Sequence, residues 1–449
     1  MLGRSGVVAL LALALLAPAA HAGWREPVSA PLDATAAANA RTPATATLAG
    51  VPYVAWQEDQ SIRVARLGAS GWEPVGGALA TGQVFNPAIA VDGGSVVVAW
   101  EQRGEGIRAA RLAGAAWQAL PVLGNQYSYA PSIESFGGAL YAAYYQYESD
   151  GEDVRVARLD GTGWQGVGGV LDASERDAPL LPQLGVPDER ATDPVLAAGG
   201  DRLYAGWAEG ETVRVARLDG TSWPLVGGAV TSTGSPFQVD LTVAGATPYA
   251  AWTTRTGRFD VHVARFDGSA WAEPAPAVAG DRSDLATIGG APWLSWREGD
   301  RLRVARLGTT WEQPSADVAR SNVHEASLVG VNGIPFAAFG AGPTSATQDV
   351  RVSRLEPEFL STTATAGATE ATLVTRLVTF GLPYPVAFDV SGTRTPAQVT
   401  SGDPATVTTT VGGLRPRTTY TATPYAAAGA GPEIAGPPVT FTTTKRNGR

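Results

Sequence analysis

The stretch YVAWQEDQSIRVARL, from Tyr53 to Leu67, decides the fold. Its first four residues are aromatic and apolar, its middle is a polar turn, and its end alternates arginine with small apolar residues. That is a β-hairpin pattern. The arginine half returns as RAARL at Arg108–Leu112, RVARL at Arg155–Leu159 and Arg214–Leu218, HVARF at His262–Phe266, RVARL at Arg303–Leu307 and RVSRL at Arg351–Leu355. The steps between first residues are 45, 47, 59, 48, 41 and 48. A period in the forties built from short strands predicts an all-β, seven-bladed β-propeller with one blade per repeat.

Outward from that hairpin, each repeat opens on a short apolar strand such as Ala44–Leu48, Ala88–Val91 or Val195–Ala198. A glycine turn follows, and then the aromatic strand: Tyr53–Trp56, Val97–Trp100, Tyr141–Tyr144, Tyr204–Trp207, Tyr249–Trp252, Trp293–Trp296 and Phe336–Phe339. The arginine strand is third. A fourth strand begins at Trp72, Trp117, Trp164, Trp223, Trp271 and Trp311. The seventh repeat has no such tryptophan, but Gly23-Trp24-Arg25-Glu26-Pro27-Val28 echoes Gly71-Trp72-Glu73-Pro74-Val75. The N-terminal strand is therefore expected to complete the last blade, which removes two open sheet edges.

Composition narrows the function classes. The formal charge of −9 and a single lysine, Lys445, argue against a nucleic-acid or anionic-membrane surface. With no cysteine there is no disulfide and no thiolate metal site. Arg4, the apolar run Val7–Leu16 and Ala20-His21-Ala22 read as a secretory signal at residues 1–22, cleaved after Ala22. The apolar run is too short to span a bilayer. The expectation is a secreted, monomeric, extracellular protein with no membrane span and no cofactor.

The repeated arginines have an architectural reading and a functional one. Glu58 and Arg63, Glu209 and Arg214, and Glu298 and Arg303 are each five apart across a hairpin, a spacing that sets them opposite or diagonal on adjoining strands. A ring of arginines gathering carboxylates or sulfates is the alternative. The tryptophans read as inter-blade core, with stacking on sugars as the alternative.

In a four-stranded blade the first-to-second and third-to-fourth turns share one face, and these are short and uniform here. The second-to-third hairpins and the interblade links share the other face and vary in length, so specificity is placed there. Its candidates are Tyr127, Tyr129, Tyr145, Tyr147 and Phe237 for stacking, and Arg176 and Asp177 in the long link from Gly169 to Pro194. Thr42, Asn86 and Asp193 each precede a proline at the start of an inner strand, near the channel mouth. The acidic hairpin Glu148–Asp153 lacks the alternating ligand spacing of a calcium loop. No catalytic residue and no metal ligand is assigned: no GxSxG, HExxH or phosphate-loop motif occurs. His262 merely replaces a repeat arginine, and His324 has no recognisable partner.

From Glu356 the repeat gives way to threonine-rich alternation. Leu414, Pro416, Thr418 and Tyr420 form an L-x-P-x-T-x-Y pattern, and with Gly381–Gly392 the segment 356–445 resembles a bacterial fibronectin type III domain. The resemblance implies a tyrosine corner at Tyr420 and a spacer or adhesion role, with Leu373 standing where the family has a core tryptophan. Residues 446–449 are a tail. The propeller, residues 23–355, resembles the sialidase-like or Asp-box group through the turns Asp160–Trp164, Asp219–Trp223 and Asp267–Trp271. The aspartate-to-tryptophan spacing is one residue shorter than in that group, and the sialidase arginine triad and tyrosine nucleophile are not assigned to residues of this chain. The expected function is non-catalytic binding of a glycan or protein by the propeller face. The alternatives are an extracellular glycoside hydrolase-like enzyme and a structural envelope protein.

Overall fold

A computed structural model describes residues 23–28, 30–33, 39–148, 151–161, 163–172, 194–231, 234–314, 317–319, 322–344 and 347–446. Residues 1–22, expected to be a signal segment, and Arg176, Asp177, Asp193, Ser149 and Asp150 lie outside the described residues. The described chain is all-β, without helices, and none of its segments is a helix long and apolar enough to cross a membrane.

Each repeat forms one antiparallel sheet in simple meander order. The first sheet is Ala40–Leu48, Val51–Glu58, Ser61–Leu67 and Trp72–Pro74, with Ala80–Thr81 added beside the third strand. Second strands are buried almost throughout, as in Val51–Glu58 and Arg202–Glu209, because both faces of each sheet are covered. The sheets are numbered here by repeat. Their first strands are Ala40–Leu48, Val84–Asp92, Ser128–Phe136, Val195–Gly199, Phe237–Ala244, Asp281–Ile288 and Val323–Val331. Each touches the next, and the seventh touches the first, so the seven sheets form a closed circuit.

The seventh sheet is completed from the N-terminus. Gly23–Arg25 pairs antiparallel with Thr347–Glu356, Trp24 standing opposite Leu355. The backbone N–H of Leu32 then donates to the carbonyl of Val350 at 2.8 Å, carrying the chain along the same sheet.

Two of the first strands start four residues earlier than their apolar runs from Ala44 and Ala88 suggest, whereas the strand from Val195 starts where its run does. Ala40–Leu48 includes Thr42-Pro43, and Val84–Asp92 includes Asn86-Pro87. A register shift of the same kind occurs in six sheets, between Arg41 and Ala44, Phe85 and Ala88, Tyr129 and Ser132, Phe237 and Asp240, Asp281 and Asp284, and Val323 and Ala326, and in the first three it takes up Pro43, Pro87 and Pro131. Such a bulge leaves residues out of the ladder, which is where a residue lacking an N–H fits.

Neighbouring sheets are tied twice. On the outside, the fourth-strand tryptophans donate Nε1–H to a carbonyl of the preceding sheet: Trp117 to Val75 at 3.0 Å, Trp164 to Pro121 at 2.9 Å, Trp223 to Val167 at 3.0 Å, Trp271 to Val226 at 2.7 Å and Trp311 to Pro276 at 3.3 Å. On the inside, first-strand side chains reach across. Asp240 accepts the N–H of Leu285 at 2.5 Å, Asp284 accepts that of Leu328 at 2.7 Å, and Ser132 accepts that of Leu196 at 3.0 Å.

After Glu356 the chain builds two more sheets. One has the order Glu358–Ala366, Glu370–Val378, Ala405–Gly412; the other centres on Pro385–Val390 and Thr419–Ala426. Leu373, Tyr384 and Phe388 are fully buried between them. The N–H of Arg415 donates to the hydroxyl of Tyr420 at 2.8 Å. This module is packed on the ring: its core is continuous with that of the seventh sheet. Arg354, 1% exposed, donates to the carbonyls of Ala428, Ala430 and Pro432, and Tyr384 donates its hydroxyl proton to the carbonyl of Leu355 at 2.9 Å.

Candidate functional site

The repeat arginines are paired architecture. Arg63 meets Glu58 at 2.7 Å, Arg155 meets Asp153 at 2.7 Å, Arg214 meets Glu209 at 3.5 Å, and Arg303 meets Glu298 at 2.8 Å. His262 keeps the pattern by bonding Glu273 at 3.1 Å and stacking on Trp252. On the face of short turns, Asp267 accepts the N–H groups of Ser269 and Ala270, which hold its carboxyl down at about 2. Asp160 likewise accepts the N–H of Gly163 at 2.9 Å. These aspartates are turn formers, engaged by their own backbone.

The opposite face is where the repeat stops repeating. Just before each first-strand bulge, one residue of the first strand stands opposite one of the second. The pairs are Arg41 with Gln57, Phe85 with Glu101, Tyr129 with Tyr145, Phe237 with Thr253, Asp281 with Arg297, and Val323 with Ala341. The residue after each of the first five takes a positive φ: Thr42 at 48°, Asn86 at 49°, Ala130 at 49°, Gln238 at 52° and Arg282 at 54°. Only one of the six pairs is charge-complementary. A fixed backbone geometry carrying unlike side chains is a scaffold for specificity.

Five predicted residues meet between the second and third sheets. Tyr129 stacks on Tyr145 at 5.5 Å between ring centroids, and Tyr147 sets its edge against both, at 5.5 and 5.7 Å. Tyr127 stands beside them 51% exposed. Asn86 donates Nδ2–H to Glu101 at 3.3 Å, and Arg103 reaches Gln83 at 3.5 Å. Burial pushes the Glu101 carboxyl up, opposed by the hydrogen bond from Asn86, by the N–H of Ala130 and by the charge of Arg103. Burial, then the nearby Glu101 charge, also raises the Tyr129 phenol. The result is an aromatic platform edged by an amide, a carboxylate and a guanidinium.

The other candidates lie apart from it. Thr42, in the first sheet, turns its hydroxyl onto the carbonyl of Arg41 at 2.8 Å. Phe237, in the fifth, packs edge-on against Phe259 at 5.9 Å, with Arg255 over that ring at 5.3 Å. Beside Phe259 an open cavity of about 260 Å³ lies between the fifth and sixth sheets, lined in part by Arg258, Gly280, Asp281, Arg297 and Glu298.

Sequence reading missed Gln83, Glu101 and Arg103, and Asp281 and Arg297 with them. The available signal was positional: Gln57, Glu101, Tyr145, Ala208, Thr253, Arg297 and Gly340 each follow the last aromatic of the repeated second strand and share no chemistry. Among the described residues no cluster of three metal-ligating side chains occurs.

No family model matches this chain, and no curated protein matches it. Solved structures that are similar to it include the SapL1 lectin in complex with alpha methyl fucoside, at 15% identity and TM-score 0.46 over 64% of this chain and 98% of that one. The polysaccharide lyase Uly1 is similar at 9% identity and TM-score 0.46, over 70% and 89% of the two chains. AofleA from Arthrobotrys oligospora is similar at 12% identity and TM-score 0.42, over 84% and 91%. Likenesses this distant carry no argument about function.

Proposed function

We propose that this chain is a secreted, non-catalytic glycan-binding protein: a seven-bladed β-propeller of residues 23–355, closed by its N-terminal strand, followed by a fibronectin type III domain of residues 356–445. The closed circuit of seven meander sheets supports the propeller reading. The tail's two sheets, with strands one, two and the one from Ala405 in the first and the remainder in the second, support the fibronectin reading, as does the Arg415–Tyr420 bond.

The observation that carries the glycan reading is the platform of Tyr127, Tyr129, Tyr145 and Tyr147 beside Asn86, Glu101 and Arg103. Flat aromatic rings receive the apolar faces of pyranoses, while amide, carboxylate and guanidinium groups at their edge meet ring hydroxyls. The buried carboxylates with the most displaced proton affinity, Asp240 and Asp284, are occupied in fastening one sheet to the next. That supports binding over hydrolysis. The test is a glycan array probed with the mature protein and with Tyr147→Ala. Binding that the substitution removes supports the reading; turnover of a bound glycan would favour a hydrolase instead.

A further inference from the structure

The cavity between the fifth and sixth sheets differs chemically from the tyrosine platform. Arg297 is held flat by two bonds to the buried Asp281, Nε to Oδ1 at 2.7 Å and Nη2 to Oδ2 at 2.6 Å, leaving Nη1 without a partner among the described residues. Arg258, on the rim and largely exposed, uses Nε for Asp260 at 3.2 Å and has both Nη groups over. Gly280, at φ 145°, is part of the lining, and a Cβ there would collide with the carbonyl oxygen of Arg297 and with the Trp296 indole, so the backbone passes this close only as glycine. Phe259 and Ala279 supply an apolar wall, and the half-exposed Glu298 an acceptor.

We propose that this cavity is a second sugar site, selective for a pyranose that bears a carboxylate. A pre-oriented guanidinium and a second one on the rim carry N–H donors for a planar anion such as a carboxylate, and the wall of Phe259 offers a ring face. At about 260 Å³ the space suits one sugar unit and is smaller than a typical drug-sized pocket. The inference rests on the glycan reading of this face. The rim arginine is exposed, so its share of the binding is screened by salt.

Titrating the mature protein with methyl β-D-glucuronide and methyl β-D-glucoside tests it. The glucuronide is expected to bind at least about tenfold tighter at low salt, with Arg258→Ala cutting that affinity about fivefold. Equal affinity for the two glycosides overturns the proposal, as does an unchanged glucuronide affinity in Arg258→Ala. A galactose 6-sulfate that binds as tightly as the glucuronide overturns the carboxylate assignment. Neutral glycans held by the tyrosine platform with no preference for the glucuronide sink this inference alone, whereas no binding of any glycan sinks the glycan reading with it.

Discussion

Trp24 stands directly opposite Leu355 in an antiparallel pair, so the first described strand of the chain is the outer strand of the last sheet in the ring. Without it, the strand Thr347–Glu356 would offer an unpaired edge. Deleting residues 23–30 is expected to lower the melting temperature and to promote oligomers in size-exclusion chromatography. Trp24→Ala alone, which removes a half-buried ring from the shared core, is expected to cost about 2–3 kcal/mol in denaturant unfolding. A monomeric deletion variant with an unchanged melt would contradict the closure.

Arg354 is expected to couple the tail to the ring. Its guanidinium is almost fully buried and serves three tail carbonyls and Glu356. Arg354→Leu leaves those carbonyls without a donor, a loss of about 3 kcal/mol or more. In calorimetry the wild type is expected to unfold in one transition and the variant in two, the first belonging to the tail.

Glu134 and Asp240 give stability a definite pH dependence. Burial raises both carboxyls to about 7, above their unfolded values, and burial together with the Asp240 charge raises Asp284. The folded state therefore holds protons that the unfolded state has released, and stability from these groups is present in mild acid and lost as pH rises through about 7. Glu134→Gln is expected to flatten the stability difference between pH 5 and 8 by about 1–2 kcal/mol, after allowing for partial solvent screening. Equal pH slopes for the variant and the wild type would contradict the assignment.

Glu101 is expected to make ligand binding acid-sensitive. Its carboxyl titrates above the usual range, and a protonated Glu101 loses acceptor capacity toward both Asn86 and a ligand hydroxyl. Affinity should fall as pH is lowered into that range, and Glu101→Gln should bind more weakly at neutral pH with a flatter profile. A wild-type affinity independent of pH would contradict a role for its carboxylate.

Much of the scaffold was legible because it is repetitive. RVARL counts the sheets, GWREPV betrays the displaced strand, and Tyr420 holds the backbone N–H of Arg415, as its motif led one to expect. The candidate site was legible only where chemistry is unusual for a strand end, as with Tyr127, Tyr129, Tyr145 and Tyr147. Glu101 and Arg297 were missed because the bulge that aims them is a backbone feature; Pro43, Pro87 and Pro131 announce it in three sheets, but Gln238-Val239 and Arg282-Ser283 adopt it with no proline at all. Arg354 shows the other limit. It occupies the same place in its repeat as Arg66, which pairs with Glu73 in solvent, and only the packed tail makes it a buried anchor.

The most direct test of the glycan reading is binding of the mature protein to a glycan array, repeated with Tyr127→Ala and Tyr147→Ala. A defined set of neutral glycans is expected to bind the wild type, and each variant is expected to bind them at least about tenfold more weakly, about 1.4 kcal/mol, with melting temperatures unchanged. Binding of neutral glycans that survives both substitutions, or no glycan bound at all, would contradict it.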